Sequence, residues 1–198
     1  MVAGRPREFD KENALEAAML VFWRNGYPGT SLADLTNAMA INKPSMYAAF
    51  GNKEQLFKAS LEQYINQYNF PIFENLFAAD QPVEQRLTAY LKSVSRLYAQ
   101  PDLPAGCMMV NSMCESTGDG IPQSAQSLIT DFSERSKQHL IGFFTQEQAS
   151  GNLNKQRSPL MLAHYLMSIV SGMAVISRDG ATVDQLDEMI EFVVASIC

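Results

Sequence analysis

Apolar residues recur at three- and four-residue spacing in block after block of this chain, and no stretch alternates apolar with polar as a half-buried strand does. That pattern confines the fold to packed helices, an all-α architecture. The blocks are bounded by recognisable stop signals. A first helix runs from Phe9 to Gly26, with Asp10 as its N-cap and Leu15, Ala18, Met19, Phe22 and Trp23 along one stripe. Another begins at Asn52-Lys53, carries Leu56, Phe57, Leu61 and Tyr64, and runs to about Tyr68 before an interruption at Pro71. A third follows Pro82 with Leu87, Leu91, Val94 and Tyr98 on one side. Beyond the loop Pro101–Pro104 come a short apolar helix over Gly106–Glu115 and a break over Ser116–Pro122. A long helix follows over Gln123–Ala149, then one from Pro159 to about Ser177, stopped by Arg178-Asp179-Gly180, and a last one over Val183–Ile197.

Between the first two of these helices, Ser31–Phe50 holds two short helices joined by a tight corner. Ser31 precedes Leu32, Leu35 and Met39, which make one buried stripe, and Asp34 stands where a capping-box acid belongs. Thr30 is the alternative cap. This helix should end near Ala40, because Asn42 is a good N-cap for a new one and Lys43-Pro44 suits a first turn. Met46 and Phe50 then face the core, leaving Lys43, Ser45, Tyr47 and Ala48 outward. This is the form of a helix-turn-helix whose second helix enters a DNA groove. Lys43 can neutralise phosphate or reach guanine, Ser45 can donate or accept, and Tyr47 can meet phosphate with its hydroxyl and sugar or thymine methyl with its ring. Lys53, at a helix N-terminus, is placed for another phosphate. Arg5 and Arg7, in Gly4-Arg5-Pro6-Arg7, form a basic arm suited to a groove or backbone.

The run Phe9-Asp-Lys, Ala17–Phe22, Gly26-Tyr27, Thr30–Leu35, Ile41–Phe50 and Gly51–Leu56 resembles the N-terminal domain of the TetR-family repressors. The resemblance implies a three-helix DNA-binding head over residues 1–52 and a larger ligand-binding, dimerising helical body over 53–198. It also implies a double-stranded operator, and release of DNA when a small molecule binds the body. By family position Thr30 or Ser31, Lys43, Pro44, Ser45, Tyr47 and Lys53 would touch DNA. Two positions depart from the family pattern. Ala40 stands where a turn glycine is frequent, and Ala49 where many relatives carry histidine or another polar group.

Charge placement is compatible with this. The net charge of −6 divides into +1 over residues 1–60 and −7 over 61–198, so DNA binding must come from a few well-placed cations rather than bulk charge. No apolar run is read as membrane-spanning, and the N-terminus lacks a secretory segment, so a cytoplasmic protein with no membrane partner is expected. The last two helices are apolar nearly all round. Leu160, Leu162, Leu166, Met167, Ile169, Val170 and Met173 lie on one, and Met189, Ile190, Phe192, Val193, Val194 and Ile197 on the other. Such helices are buried on more than one side, which suggests a shared homodimer interface.

Eleven methionines, most of them after residue 100, suit a pocket that repacks around apolar ligands. Its candidate walls are Tyr98, Met108, Met109, Met113, Phe143, Phe144 and Tyr165. Its candidate polar groups are Asn111, Glu115, His139 and His164. Three cysteines, an odd number, argue against a disulfide framework. Cys107 and Cys114, read on one helix, share a face about 10 Å apart, too far to bridge. Oxidant or electrophile sensing by either is the alternative regulatory reading, favoured at Cys107 by a helix N-terminus. Two histidines without HExxH or CxxC spacing, and no phosphate loop or nucleophile elbow, leave a helical enzyme as a weak rival. A helical interaction module without DNA binding is a third reading. No cofactor and no metal is expected.

Overall fold

The computed structural model describes residues 10–78, 80–116 and 120–198. Within them the elements are helical: α1 (Lys11–Asn25), α2 (Leu32–Ala38), α3 (Lys43–Phe50), α4 (Lys53–Tyr64), a π-helical turn (Ile65–Asn69), α5 (Phe70–Glu74), a 3₁₀ turn (Asn75–Phe77), α6 (Val83–Ala99), α7 (Met108–Glu115), α8 (Gln123–Ala149), α9 (Pro159–Arg178) and α10 (Val183–Ile197). The boundaries follow the caps. Asp10, Ser31, Asn42, Asn52, Ser158 and Thr182 each accept an amide of the following first turn through the side chain.

α1 packs along α4, α2 packs on α1, and α3 joins α2. Phe22 and Trp23 of α1 are buried and meet α4 through aromatic pairs: Phe22 with Phe57 at 5.0 Å and Trp23 with Tyr64 at 4.8 Å between ring centroids. Each such ring contributes about 1.5–3 kcal/mol by burial, so α4 is held firmly to the head. The body packs α6 against α9 and α10, and α8 against α9 and α4. A buried ion pair crosses it. Arg86 on α6 meets Glu147 on α8 at 2.7 Å, donates to the Leu76 carbonyl at 3.0 Å, and lies over the Phe143 ring.

Three readings of the sequence are corrected. Pro71 does not interrupt the helix. The chain stays helical through it because the π turn before it shifts the ladder, the Phe70 amide bonding the Ile65 carbonyl, which relieves the clash a proline ring makes with the turn behind it. Cys107 and Cys114 do not share a face. Cys107 is the non-helical N-cap of α7 and is buried, whereas Cys114 is exposed. Finally, α9 is long and apolar enough by composition to cross a membrane. Its serines and His164 disguise the run. In this fold α9 lies against α6, α8 and α10 with about a third of it buried.

Candidate DNA-reading surface and body cavity

The corner between α2 and α3 is built from short-range bonds. Ser31 and Asp34 close a reciprocal capping box: the Asp34 amide donates to Ser31 Oγ at 3.1 Å and the Ser31 amide to Asp34 Oδ2 at 2.8 Å. These bonds hold the exposed Asp34 carboxyl below the usual range. The helix ends in a Schellman motif. The Ile41 amide bonds the Thr36 carbonyl at 3.1 Å and the Ala40 amide the Asn37 carbonyl at 3.2 Å. This closure needs a left-handed residue at position 40, and Ala40 supplies it with φ 52°. Ala40 thus fills the left-handed position without glycine and carries its cost in the backbone.

Asn42 caps α3 by accepting the Ser45 amide at 2.8 Å. Met46 is fully buried and anchors the helix, and Phe50 packs partly against the core. Lys43, Pro44 and Tyr47 are exposed, Tyr47 by 45 %, while Ser45 is half-buried. A cation, a phenol and two small alanines therefore share one outward surface. Ser31 is exposed at the start of α2. Thr30 is not: it is 2 % exposed and its hydroxyl donates to the Gly26 carbonyl at 2.6 Å. Lys53 is turned partly inward. Its Nζ donates to the Tyr27 carbonyl at 2.7 Å and sits 4.1 Å from the Tyr27 ring centroid, and burial pushes its pKa down. With three N–H donors, it retains capacity for one phosphate. Arg5 and Arg7 lie outside the described residues.

The head is fastened to the body at two further points. Glu115, at the end of α7, accepts the Tyr27 amide at 3.1 Å, and Ser124, at the start of α8, donates to Glu54 on α4 at 2.6 Å. Gly26 is buried with φ 71°, and a Cβ there would overlap the Glu115 carboxylate.

The body holds a partly open cavity of about 100 Å³ between α5, α6, α7, α8, α9 and the π turn. Its walls include Phe73, Val94, Met109, Val110, Met113, Phe132 and Met167, with Asn69, Tyr90, Tyr98, Cys107 and three serines as polar groups. Of the proposed pocket residues, Tyr98, Met109 and Met113 line it. Met108 is buried beside it. His139 is exposed and lines an adjoining surface cleft of about 640 Å³ with Phe70 and Phe77, which shares Phe73, Phe132 and Ser136 with the cavity. Phe143 and Phe144 are core residues, and Phe143 packs on Arg86. His164 is exposed, Tyr165 accepts a hydrogen bond from Ser196 at 3.0 Å, and Glu115 belongs to the head contact. Asn111 is half-buried, and its Nδ2 lacks a partner among the described residues. Tyr90 was missed although it shares the Val94–Tyr98 face at helical spacing. Asn69 gave no sequence signal, because its position depends on the π turn.

Residues 14–60 match the family of bacterial regulatory proteins of the tetR type. The chain is 36 % identical over 183 residues to the HTH-type transcriptional repressor ComR of Escherichia coli K12, a match covering 92 % of this chain and 86 % of that one. The chain belongs to the TetR family of bacterial transcriptional regulators. The repressor BdcR of the same organism is 30 % identical, over 93 % of this chain and 87 % of that one. Among solved structures, a cysteine-substituted TetR family regulator CifR, complexed with 26 bp operator DNA, superimposes with a TM-score of 0.88 at 29 % identity, covering 98 % of this chain and 100 % of that one. As in these regulators, the helix-turn-helix stands on a larger helical body.

Proposed function

We propose that this TetR-family chain is a repressor that binds a palindromic operator as a homodimer and releases it when a small, largely apolar effector occupies the body cavity. The observation that carries the reading is the presentation of α3, which Met46 pins from below while Lys43, Pro44 and Tyr47 stay exposed on a capped first turn. Ser31 and Ser45 join them, and Lys53 completes a phosphate contact at the start of α4. The heads comprise residues 1–52 and the body 53–198. Relatives named as repressors, and a neighbour seen on operator DNA, support the same assignment.

The homodimer reading rests on α9 and α10. Leu160, Met161 and Val175 on α9, and Met189 and Phe192 on α10, stay exposed in one copy, Phe192 by 76 %. A second copy packed on these faces buries them and sets two heads about 34–36 Å apart, one turn of DNA. An effector that prefers a splayed arrangement weakens operator binding by its differential affinity. A hundredfold release asks for about 2.7 kcal/mol. No catalytic step is assigned to the chain, and the reading places it with the DNA in the cytoplasm.

The test is a gel shift on DNA from upstream of the chain's own gene, with Lys43→Ala and Tyr47→Ala combined. The double variant should lose at least about tenfold in affinity, with a salt dependence shallower by about one unit from the lost lysine. Unchanged binding would remove α3 from the interface.

A further inference from the structure

Cys107 is the one thiol among the described residues of the cavity wall, and simple apolar binding makes no use of it. It is 2 % exposed, yet its thiol lines the cavity. Three phenols surround it. The Tyr64 hydroxyl donates to Cys107 Sγ at 3.4 Å, and Tyr98 lies beside the same sulfur. Tyr90 is 5 % exposed and lines the cavity. Its ring packs edge-on against Phe73, and its hydroxyl has no hydrogen-bond partner among the described residues. A phenol in the cavity wall without a protein acceptor can donate to a guest. Burial and the nearby thiol push all three phenols up, which keeps them protonated donors at neutral pH.

We propose that the cavity is a covalent trap for a small, uncharged α,β-unsaturated carbonyl compound, with Cys107 Sγ as the nucleophile and the Tyr90 hydroxyl as donor to the carbonyl oxygen. The Sγ–Cβ bond forms as the carbon–carbon π pair moves to the carbonyl oxygen as an enolate. The proton leaving the thiol ends on the α-carbon, giving a saturated thioether. No group leaves and no oxidant is needed. The guest is uncharged because no Asp, Glu, Lys, Arg or His lines the cavity. It is small because about 100 Å³ is the scale of a few heavy atoms. Disulfide chemistry within the chain fits less well, since α7 turns Cys107 to the core and Cys114 to the surface, and Cys198 is exposed at the end of α10.

The site meets the head through Tyr64 against Trp23, and through one short helix. From Cys107 at its N-cap, α7 runs roughly 12 Å to Glu115, whose carboxylate holds the Tyr27 amide in the turn between α1 and α2. An adduct between Cys107 and the cavity displaces α7 and loosens that hold. This regulatory consequence rests on the operator-binding reading above; the covalent step does not.

The experiment uses the full chain with Cys114→Ser and Cys198→Ser, so that Cys107 is the only thiol, and methyl vinyl ketone as the probe. Intact-mass spectrometry should show one adduct, mapped to Cys107, and none with the saturated analogue butanone. Tyr90→Phe, which deletes only a hydroxyl without a partner, should slow addition by roughly tenfold or more. Operator affinity of the adduct should fall at least tenfold, and the further variant Cys107→Ser should keep its affinity after the same treatment. Addition only after unfolding in urea, or at the same rate in Tyr90→Phe, overturns the trap. An adduct on a protein that never bound operator leaves the trap standing and defeats the regulatory reading instead.

Discussion

Replacing Ala40 by glycine tests the backbone argument at the helix-turn-helix corner. Ala40 occupies the left-handed region at φ 52°, and its amide and that of Ile41 close the Schellman motif. A left-handed conformation costs an L-residue with a Cβ about 1–2 kcal/mol, a cost glycine escapes. Glycine also gains freedom in the unfolded chain, which takes back about 0.4–1 kcal/mol. The net expectation for Ala40→Gly is a stabilisation of about 0.5–1 kcal/mol. For a chain of this size that raises the melting temperature by about 1–4 °C. Melts are compared at one protomer concentration, since dimerisation contributes to stability. Amide exchange at Ile41 should slow, which places the gain at the corner. Ala40→Val must move the other way, because a β-branched residue is worse still at positive φ. A glycine variant no more stable than the parent, or a valine variant that melts unchanged, refutes the claim that this corner is held under strain.

Further outcomes follow from other parts of the molecule. Glu147→Ala strands the Arg86 guanidinium in the core, and should cost about 3–5 kcal/mol in urea denaturation, whereas Arg86→Met with Glu147→Leu should fall close to the parent; additive losses would contradict the ion-pair account. Asp34 has a folded pKa held below its unfolded value by Ser31. Its contribution is therefore present above about pH 4 and lost as pH falls through the lower folded value. Asp34→Asn should flatten that part of the acid-stability profile, and an unchanged profile would refute it. Phe192→Glu places a charge on the most exposed apolar residue of α10. Sedimentation should show its dimer weakened by at least tenfold, and an unaltered dimer would move the interface elsewhere.

Local sequence was sufficient for most features set within a turn or two, though not for the π turn before Pro71. The caps at Asp10, Ser31, Asn42 and Asn52, the Met46 anchor and the exposed face of α3 all arise from contacts within a turn or two, where side-chain chemistry alone sets the backbone. Tertiary structure decided what lies between helices distant in the chain. Asn69, Tyr90 and Cys107 meet in one cavity only because the π turn before Pro71 and the packing of α6, α7 and α8 bring them there. The Arg86–Glu147 pair, the grip of Glu115 on Tyr27 and the inward turn of Lys53 are likewise products of packing. Periodicity reports which face of a helix is apolar, but not what it faces. Partner choice depends on how whole helices dock, and that is a property of the assembled core.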